Sequence, residues 1–223
     1  MRNLLVAQSG GPTAAINATL AGVFQGAIGS DKVDHIYGAV NGIQGVLDEH
    51  FVDLRELLSN TQDQELLSQT PAAALGSCRV KLKDPAKDPS DYEKIISVFR
   101  KHEIHYFIYI GGNDSMDTVD KLSAYVRDQG IEDIQVVGAP KTIDNDIFGT
   151  DMTFGFQSAV NIATNAIDCI HTTATSHGRV FIVEIMGHKV GSLTLHAGIA
   201  GGADIILIPE IPYDIKKVCE AIE

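Results

Sequence analysis

One repeated unit constrains this chain more than any other feature: a short aliphatic run, a glycine-rich or polar loop, then a segment with helical spacing. The runs Leu4 to Ala7, His35 to Val40, His105 to Ile110, Ile134 to Val137, Arg179 to Ile185 and Ile205 to Ile208 are rich in β-branched and aliphatic residues. Each is bounded by glycine or a small polar residue, and all six read as buried strands. Between them, Ala14 to Ala27, Ser90 to Lys101, Ser115 to Arg127, Gln157 to Thr172 and Leu193 to Ile199 carry the spacing of helices. Parallel strands need long crossovers, and crossover helices cover the faces of the sheet they join. The alternation therefore predicts an α/β fold, Rossmann-like, with a largely parallel sheet and helices on both faces. Ligands of such sheets gather at the carboxyl ends of the strands, so the loops that follow strands become the candidate site.

Three of those loops carry chemistry. Ser9-Gly10-Gly11-Pro12-Thr13 follows the first run and opens a helix bearing Asn17, an arrangement that aims backbone amides at an anion or is simply a connector. After the run ending at Ile110 comes Gly111-Gly112-Asn113-Asp114-Ser115, again before a helix. The glycines admit a polyanion to the backbone, Ser115 binds phosphate or caps the helix, and Asp114 holds magnesium directly or through water; an N-cap is the plain alternative. The densest loop is Pro140-Lys141-Thr142-Ile143-Asp144-Asn145-Asp146. On an extended backbone Thr142, Asp144 and Asp146 would face one side, placing a hydroxyl and two carboxylates toward one pocket, one to bind metal and one to accept a proton.

Composition narrows the partners. With 29 acidic against 17 basic side chains the net charge is −12, which disfavours a nucleic-acid backbone as ligand. The excess of acid is concentrated after residue 112, so phosphates bound there need a divalent cation and local cationic groups. No apolar stretch approaches the ~18 to 20 residues of a membrane span, and the N-terminal run leads into a glycine turn, not a cleavage region; a soluble cytoplasmic protein is expected. Three separated cysteines, Cys78, Cys169 and Cys219, read as reduced, mostly packed thiols without a functional role. Asp84 to Pro89 reads as a solvated surface loop.

Taken in order, the Gly10-Gly11 loop, Gly76-Ser77-Cys78-Arg79, Gly111 to Ser115, Thr142 to Asp146 with Gly149-Thr150-Asp151, and Met186-Gly187 with a trailing Pro209-Glu210 resemble the 6-phosphofructokinase family across essentially the whole chain. The resemblance implies transfer of a terminal phosphoryl group to the 1-hydroxyl of fructose 6-phosphate in glycolysis. Asp144 would be the general base, Thr142 would touch the phosphoryl group or the sugar, and Asp146 would orient metal or substrate. Arg79 would bridge the transferring phosphate, where a planar fork stabilises charge better than an ammonium. Gly10, Gly11, Gly112, Asp114, Ser115 and Lys141 would hold the donor, with Asn113 and Asp114 on Mg2+. Arg179, Met186, Gly187, His188 and Glu210 would bind the sugar phosphate, Arg179 from a neighbouring subunit of a homo-oligomer. His177 and His196 are left to packing or hydrogen bonding. Residues 1–139 would form the donor-binding domain and 140–223 the sugar-phosphate domain, both C-terminally incomplete.

Asp114 and Lys141 resemble the pyrophosphate-dependent branch, since ATP-dependent relatives typically have glycine at both positions. An Asp side chain would fill and repel the space of a nucleotide's α-phosphate, and a lysine would neutralise compact pyrophosphate. The chain departs from the family at Asn113, where many relatives have Asp, and at His188-Lys189, where Met-Gly is usually followed by Arg. An ATP-dependent enzyme and a non-catalytic phosphate-binding subunit are the alternatives. A dinucleotide site is disfavoured, because no Gly-x-Gly-x-x-Gly follows the first run.

Overall fold

The computed structural model describes residues 2–223. The chain divides into two compact units, Met1–Lys141 and Thr142–Glu223.

In the first unit the elements run β1 (Asn3–Gln8), α1 (Ile16–Ile28), β2 (Ile36–Ala39), α2 (Gly42–Leu47), β3 (Phe51–Asp53), α3 (Leu54–Leu57), α4 (Thr61–Gln69), α5 (Ser90–Lys101), β4 (Ile104–Gly111), α6 (Asn113–Asp128) and β5 (Gln135–Thr142), whose last residue opens the second unit. The strands lie in the order β3-β2-β1-β4-β5. β1 pairs parallel with β2 and β4, and β4 with β5, whereas β3 pairs antiparallel with β2. All six residues of the central strand β1 are buried, as a strand covered on both faces requires. Its pleat divides them between two cores. Leu5 and Ala7 pack with Ile43 of α2, Ile95 and Phe99 of α5 and Leu122 of α6; Leu4 and Val6 pack with Ile16, Leu20 and Phe24 of α1 and with Leu54 of α3. Helices thus cover both faces, and the glycine loops emerge together at the carboxyl edge.

The helices form where their apolar spacing predicts. α5 buries Tyr92, Ile95, Ile96, Val98 and Phe99, with Asp91 and Glu93 in its first turn and Arg100 and Lys101 in its last, each sign opposing the helix dipole. Four elements of this unit escape the sequence pattern. α2, β3 and α3 are too short to show periodicity, and α4 buries none of its residues and is started by Asn60, whose side chain accepts from Asp63 N.

The second unit contains β6 (Phe154–Gly155), α7 (Phe156–His177), α8 (Ser192–Ala200) and α9 (Ile215–Ile222). Left-handed Gly178 terminates α7, and Arg179 N returns to Ala174 O at 3.0 Å. Phe156 meets the His196 ring of α8 edge-on at 5.2 Å, and His196 Nδ1 lies 2.8 Å from Ser192 O; both His196 and His177, in the last turn of α7, are exposed. Two expected strands are not strands. Arg179 to Ile185 and Ile205 to Ile208 have no ladder partner among the described residues, and Ile182 is 94% exposed. β-Branched composition suits a strand only where a neighbouring backbone completes the ladder. The second run instead packs on α8, with Ile206 over Gly198 and Ile208 over Gly191. Cys169 and Cys219 are also exposed, contrary to the expectation of packed thiols, because they occupy solvent-facing positions on α7 and α9.

Candidate functional site

In the first unit the glycine loops after β1 and β4 meet. Gly10 has φ +80°, and a Cβ there would stand 2.9 Å from Lys141 Nζ and 3.3 Å from Gly112 N, so a side chain at this position would crowd both the lysine and the opposite loop. Ser9 N donates to Ile110 O at 2.8 Å, tying β1 to β4 just before the glycines. A Cβ on Gly111 would collide with Ser115 Oγ; Ser115 is buried at the third position of α6, and the N-cap is Gly112. Neither Asp114 nor Ser115 caps the helix. At the far end of the first loop Thr13 is nine-tenths buried, and its Oγ1 has no hydrogen-bond partner.

Lys141 lies at the end of β5, 1% exposed, and its ammonium donates to Gly11 O at 2.6 Å. The parallel pairing of β4 with β5 sets Gly111 beside Pro140, which carries the next residue to the mouth of the β1 loop. That bond fixes a buried ammonium beside the glycines of the β1 loop.

A segment from Gly76 to Lys83 closes one side of these loops. Cys78, Val80 and Leu82 pack on the core while Ser77, Arg79, Lys81 and Lys83 are exposed, a period of two that belongs to extended backbone. Ser9 Oγ donates to Cys78 O at 2.9 Å and Ser77 Oγ to Gly10 O at 2.9 Å. Arg79 stands exposed between Ser77 and Lys81. Asp114, the second residue of α6, does not enter the glycine loops: it is 67% exposed and ion-paired with Lys81 at 2.7 Å. Burial pushes the Cys78 thiol up, but amides of Gln44 and Val80 and the hydroxyls of Ser9 and Tyr109 act against it and bring its pKa below the ordinary value. Behind it, burial drives Tyr109 up to about 12, so its hydroxyl stays protonated.

The path of this segment is set by Gln8, which sequence reasoning passed over, and by Asn17, which it named without a role. Gln8, fully buried, donates to Asn17 Oδ1 at 3.0 Å and accepts from Leu75 N at 2.9 Å; Asn17 donates to Thr70 O and accepts from Ala74 N, both at 2.9 Å. A glutamine ending an aliphatic strand, followed nine residues on by an asparagine on the buried face of a helix, was the available signal.

The second unit holds the loop from Thr142 to Thr153. Asn145 takes φ +55° and Asp144 N donates to Thr142 Oγ1 at 3.1 Å, so the backbone turns and the strict alternation of Thr142, Asp144 and Asp146 does not occur. Asn145 is the organiser: its side chain accepts from Thr153 N and donates to Asp151 O, while Thr153 Oγ1 donates to Thr142 O at 2.8 Å. One oxygen of Asp144 and one of Asp146 are shielded from solvent within this knot. Further on, Gly187 is buried and starts a tight turn through left-handed His188, closed by Val190 N to Gly187 O at 2.9 Å. Glu210 accepts at 2.7 Å from the N–H of Gly191, the residue that follows this turn. Met186, 71% exposed, adjoins that turn in sequence, and Arg179 is exposed at the end of α7.

Among known proteins, the phosphofructokinase family model matches residues 3–223. The chain belongs to the phosphofructokinase family. It is 42% identical over 235 residues to a pyrophosphate–fructose 6-phosphate 1-phosphotransferase of Xanthomonas campestris, covering 99% of this chain and 55% of that protein. It is 41% identical over 213 residues to ATP-dependent 6-phosphofructokinase 3 of Bacteroides thetaiotaomicron, covering 94% of this chain and 60% of the relative. The crystal structure of a pyrophosphate-dependent phosphofructokinase from Marinobacter aquaeolei matches with a TM-score of 0.86 at 37% identity, over 99% of this chain and 56% of that one. The chain thus spans little more than half the length of these relatives.

Proposed function

We propose that this chain provides the donor-binding unit and part of the sugar-phosphate unit of a magnesium- and pyrophosphate-dependent 6-phosphofructokinase. The observation that carries the donor choice is Lys141, whose buried ammonium lies 2.6 Å from Gly11 O and occupies the space beside Gly10. A cation fixed there adds charge for compact pyrophosphate and removes room that a nucleotide's α-phosphate would use. Arg79 stabilises charge on the transferring phosphoryl group, and Gly10, Gly11 and Gly112 offer close backbone approach. Thr13, with its buried unsatisfied hydroxyl, is a further donor contact. Asp144 takes the proton of the sugar hydroxyl, with Thr142 and Asp146 beside it in the Asn145 turn; the protein's work in phosphoryl transfer is positioning and charge stabilisation.

No group of three or more His, Cys, Asp or Glu able to hold a metal occurs among the described residues. That suits magnesium, which keeps several waters and is held by one or two carboxylates together with substrate phosphates. Of the two residues expected to hold it, Asn113 opens α6 beside the glycines and would do so, whereas the Asp114 carboxylate is engaged by Lys81 at 2.7 Å; the ion would neutralise charge developing on the donor. Arg179, exposed after α7, reaches the sugar phosphate of a second subunit in a homo-oligomer; no helix among the described residues is long and apolar enough to cross a membrane.

The ATP-dependent reading has one observation in its favour: Asp114 points out to Lys81 and leaves the loops open. Fructose 1,6-bisphosphate formation with magnesium and fructose 6-phosphate, measured with pyrophosphate and ATP in parallel, decides between the donors. Pyrophosphate-only turnover is expected; ATP-only turnover overturns the donor assignment.

A further inference from the structure

The outward row of the Gly76 to Lys83 segment is anchored at two places. Ser77 Oγ holds Gly10 O at 2.9 Å, and Lys81 Nζ holds Asp114 Oδ1 at 2.7 Å. The row therefore runs from the β1 loop to the first turn of α6, with Arg79 between its anchors. Both members of the Lys81–Asp114 pair are 67% exposed, and an ion pair so open to water contributes little to stability. Nor does α6 need it, since a carboxylate in the first turn already opposes the helix dipole. What the pair supplies is placement and charge. An unneutralised Asp114 beside two phosphate-admitting glycine loops would repel a polyanion, and the next acid along the helix, Asp117, is already held by Lys121 at 2.6 Å.

Building on the donor reading above, we infer that Lys81 is a positioning residue for donor selection. It draws the Asp114 carboxylate across the outer rim of the glycine loops and cancels its charge toward the approaching donor. Compact pyrophosphate passes this rim and meets Lys141 and Arg79. A longer nucleotide triphosphate must lie across the rim and gains nothing from the neutralised pair. Lys81 acts through Asp114, not as a phosphate ligand of its own.

The test is equilibrium binding by calorimetry, with magnesium present, of pyrophosphate and of a non-hydrolysable ATP analogue. It compares the full chain with Lys81→Met, Lys81→Arg, Asp114→Asn and the Lys81→Met/Asp114→Asn double variant. Lys81→Met is expected to weaken pyrophosphate about tenfold and the analogue less than about twofold, with an unchanged thermal midpoint. Lys81→Arg should restore pyrophosphate to within about threefold, because it retains the charge. In the Asp114→Asn background, Lys81→Met should cost less than about twofold, since no carboxylate then needs a partner. Equal losses for both donors, an undiminished loss in the Asp114→Asn background, or a lowered midpoint would each overturn the inference while leaving pyrophosphate recognition standing. A parent chain that binds the analogue and not pyrophosphate, or neither, overturns the donor reading and this inference with it.

Discussion

Asn17→Ala tests whether a buried polar network behind the glycine loops shapes the proposed donor site. The side chain is fully buried and makes three hydrogen bonds: to Thr70 O and from Ala74 N at 2.9 Å, and from Gln8 Nε2 at 3.0 Å. At about 1 kcal/mol for each net hydrogen bond, the loss has a ceiling of about 3 kcal/mol. Two features lower it. Gln8 Nε2 keeps Ile16 O at 3.2 Å, and Thr70 and Ala74 are exposed, so their backbone groups can turn to water. A net cost of about 2 kcal/mol follows. Urea unfolding read by tyrosine fluorescence, in a chain without tryptophan, should show the midpoint falling by roughly 1 M. Amide exchange at Ala74 and Leu75, whose N–H groups bond Asn17 and Gln8, should accelerate about 30-fold, the equivalent of that loss. Because the donor-side segment begins at Gly76, pyrophosphate binding should weaken as well. An unchanged unfolding midpoint with unchanged exchange at Ala74 would refute the claim that this buried network holds the segment in place.

Lys141→Met should weaken pyrophosphate binding by about 30-fold, as the loss of a buried charge-assisted donor implies, and the ATP analogue by far less; calorimetry of both ligands checks it. Gly10→Ala should cost about 1–2 kcal/mol in urea unfolding, from the left-handed backbone and the crowding of Lys141 Nζ, and should lower donor affinity in the same variant. Alkylation of Cys78 by iodoacetamide, followed by mass spectrometry across pH, should have a lower midpoint in the folded chain than in the urea-unfolded chain. Deprotonation is favoured by the donors around the sulfur, so Ser9→Ala should move that midpoint upward. Lys83→Met, which removes only the exposed 2.6 Å pair with Asp88, should leave both donor affinity and the unfolding midpoint unchanged.

The first unit was legible where periodicity reports burial. β1, β2, β4 and β5 lie where aliphatic runs are bounded by glycine or polar residues, and α5 spans the expected Ser90–Lys101. Legibility failed where composition and partner diverge. Arg179 to Ile185 has strand-like residues, but a strand also needs a neighbour at hydrogen-bonding distance, and a local pattern carries no information about that neighbour. At the site, residue types were readable and directions were not. Thr142, Asp144 and Asp146 were expected on one side of an extended backbone, whereas Asn145 at φ +55° turns the chain between the two carboxylates. The same asparagine bonds both Asp151 and Thr153, an assignment that requires knowing that the loop returns on itself.

Asp114 was expected to fill and repel the space of a nucleotide's α-phosphate and Lys141 to neutralise compact pyrophosphate, and their surroundings give the two roles different weight. Lys141 is shielded, and its ammonium lies among the groups that would meet phosphate, where charge acts with little screening by water. Asp114 is open to solvent and neutralised by Lys81, so its direct repulsion of a nucleotide is weakened by both the pair and the salt around it. A change at Lys141 should therefore move donor affinity at any ionic strength. A change at Asp114 should matter most in low salt and should fade as the Debye length shrinks to about 3 Å near 1 M. Measuring pyrophosphate affinity for Lys141→Met and Asp114→Asn across that salt range separates the two mechanisms. If both variants fade alike with salt, the burial of Lys141 is not what gives it control over the donor.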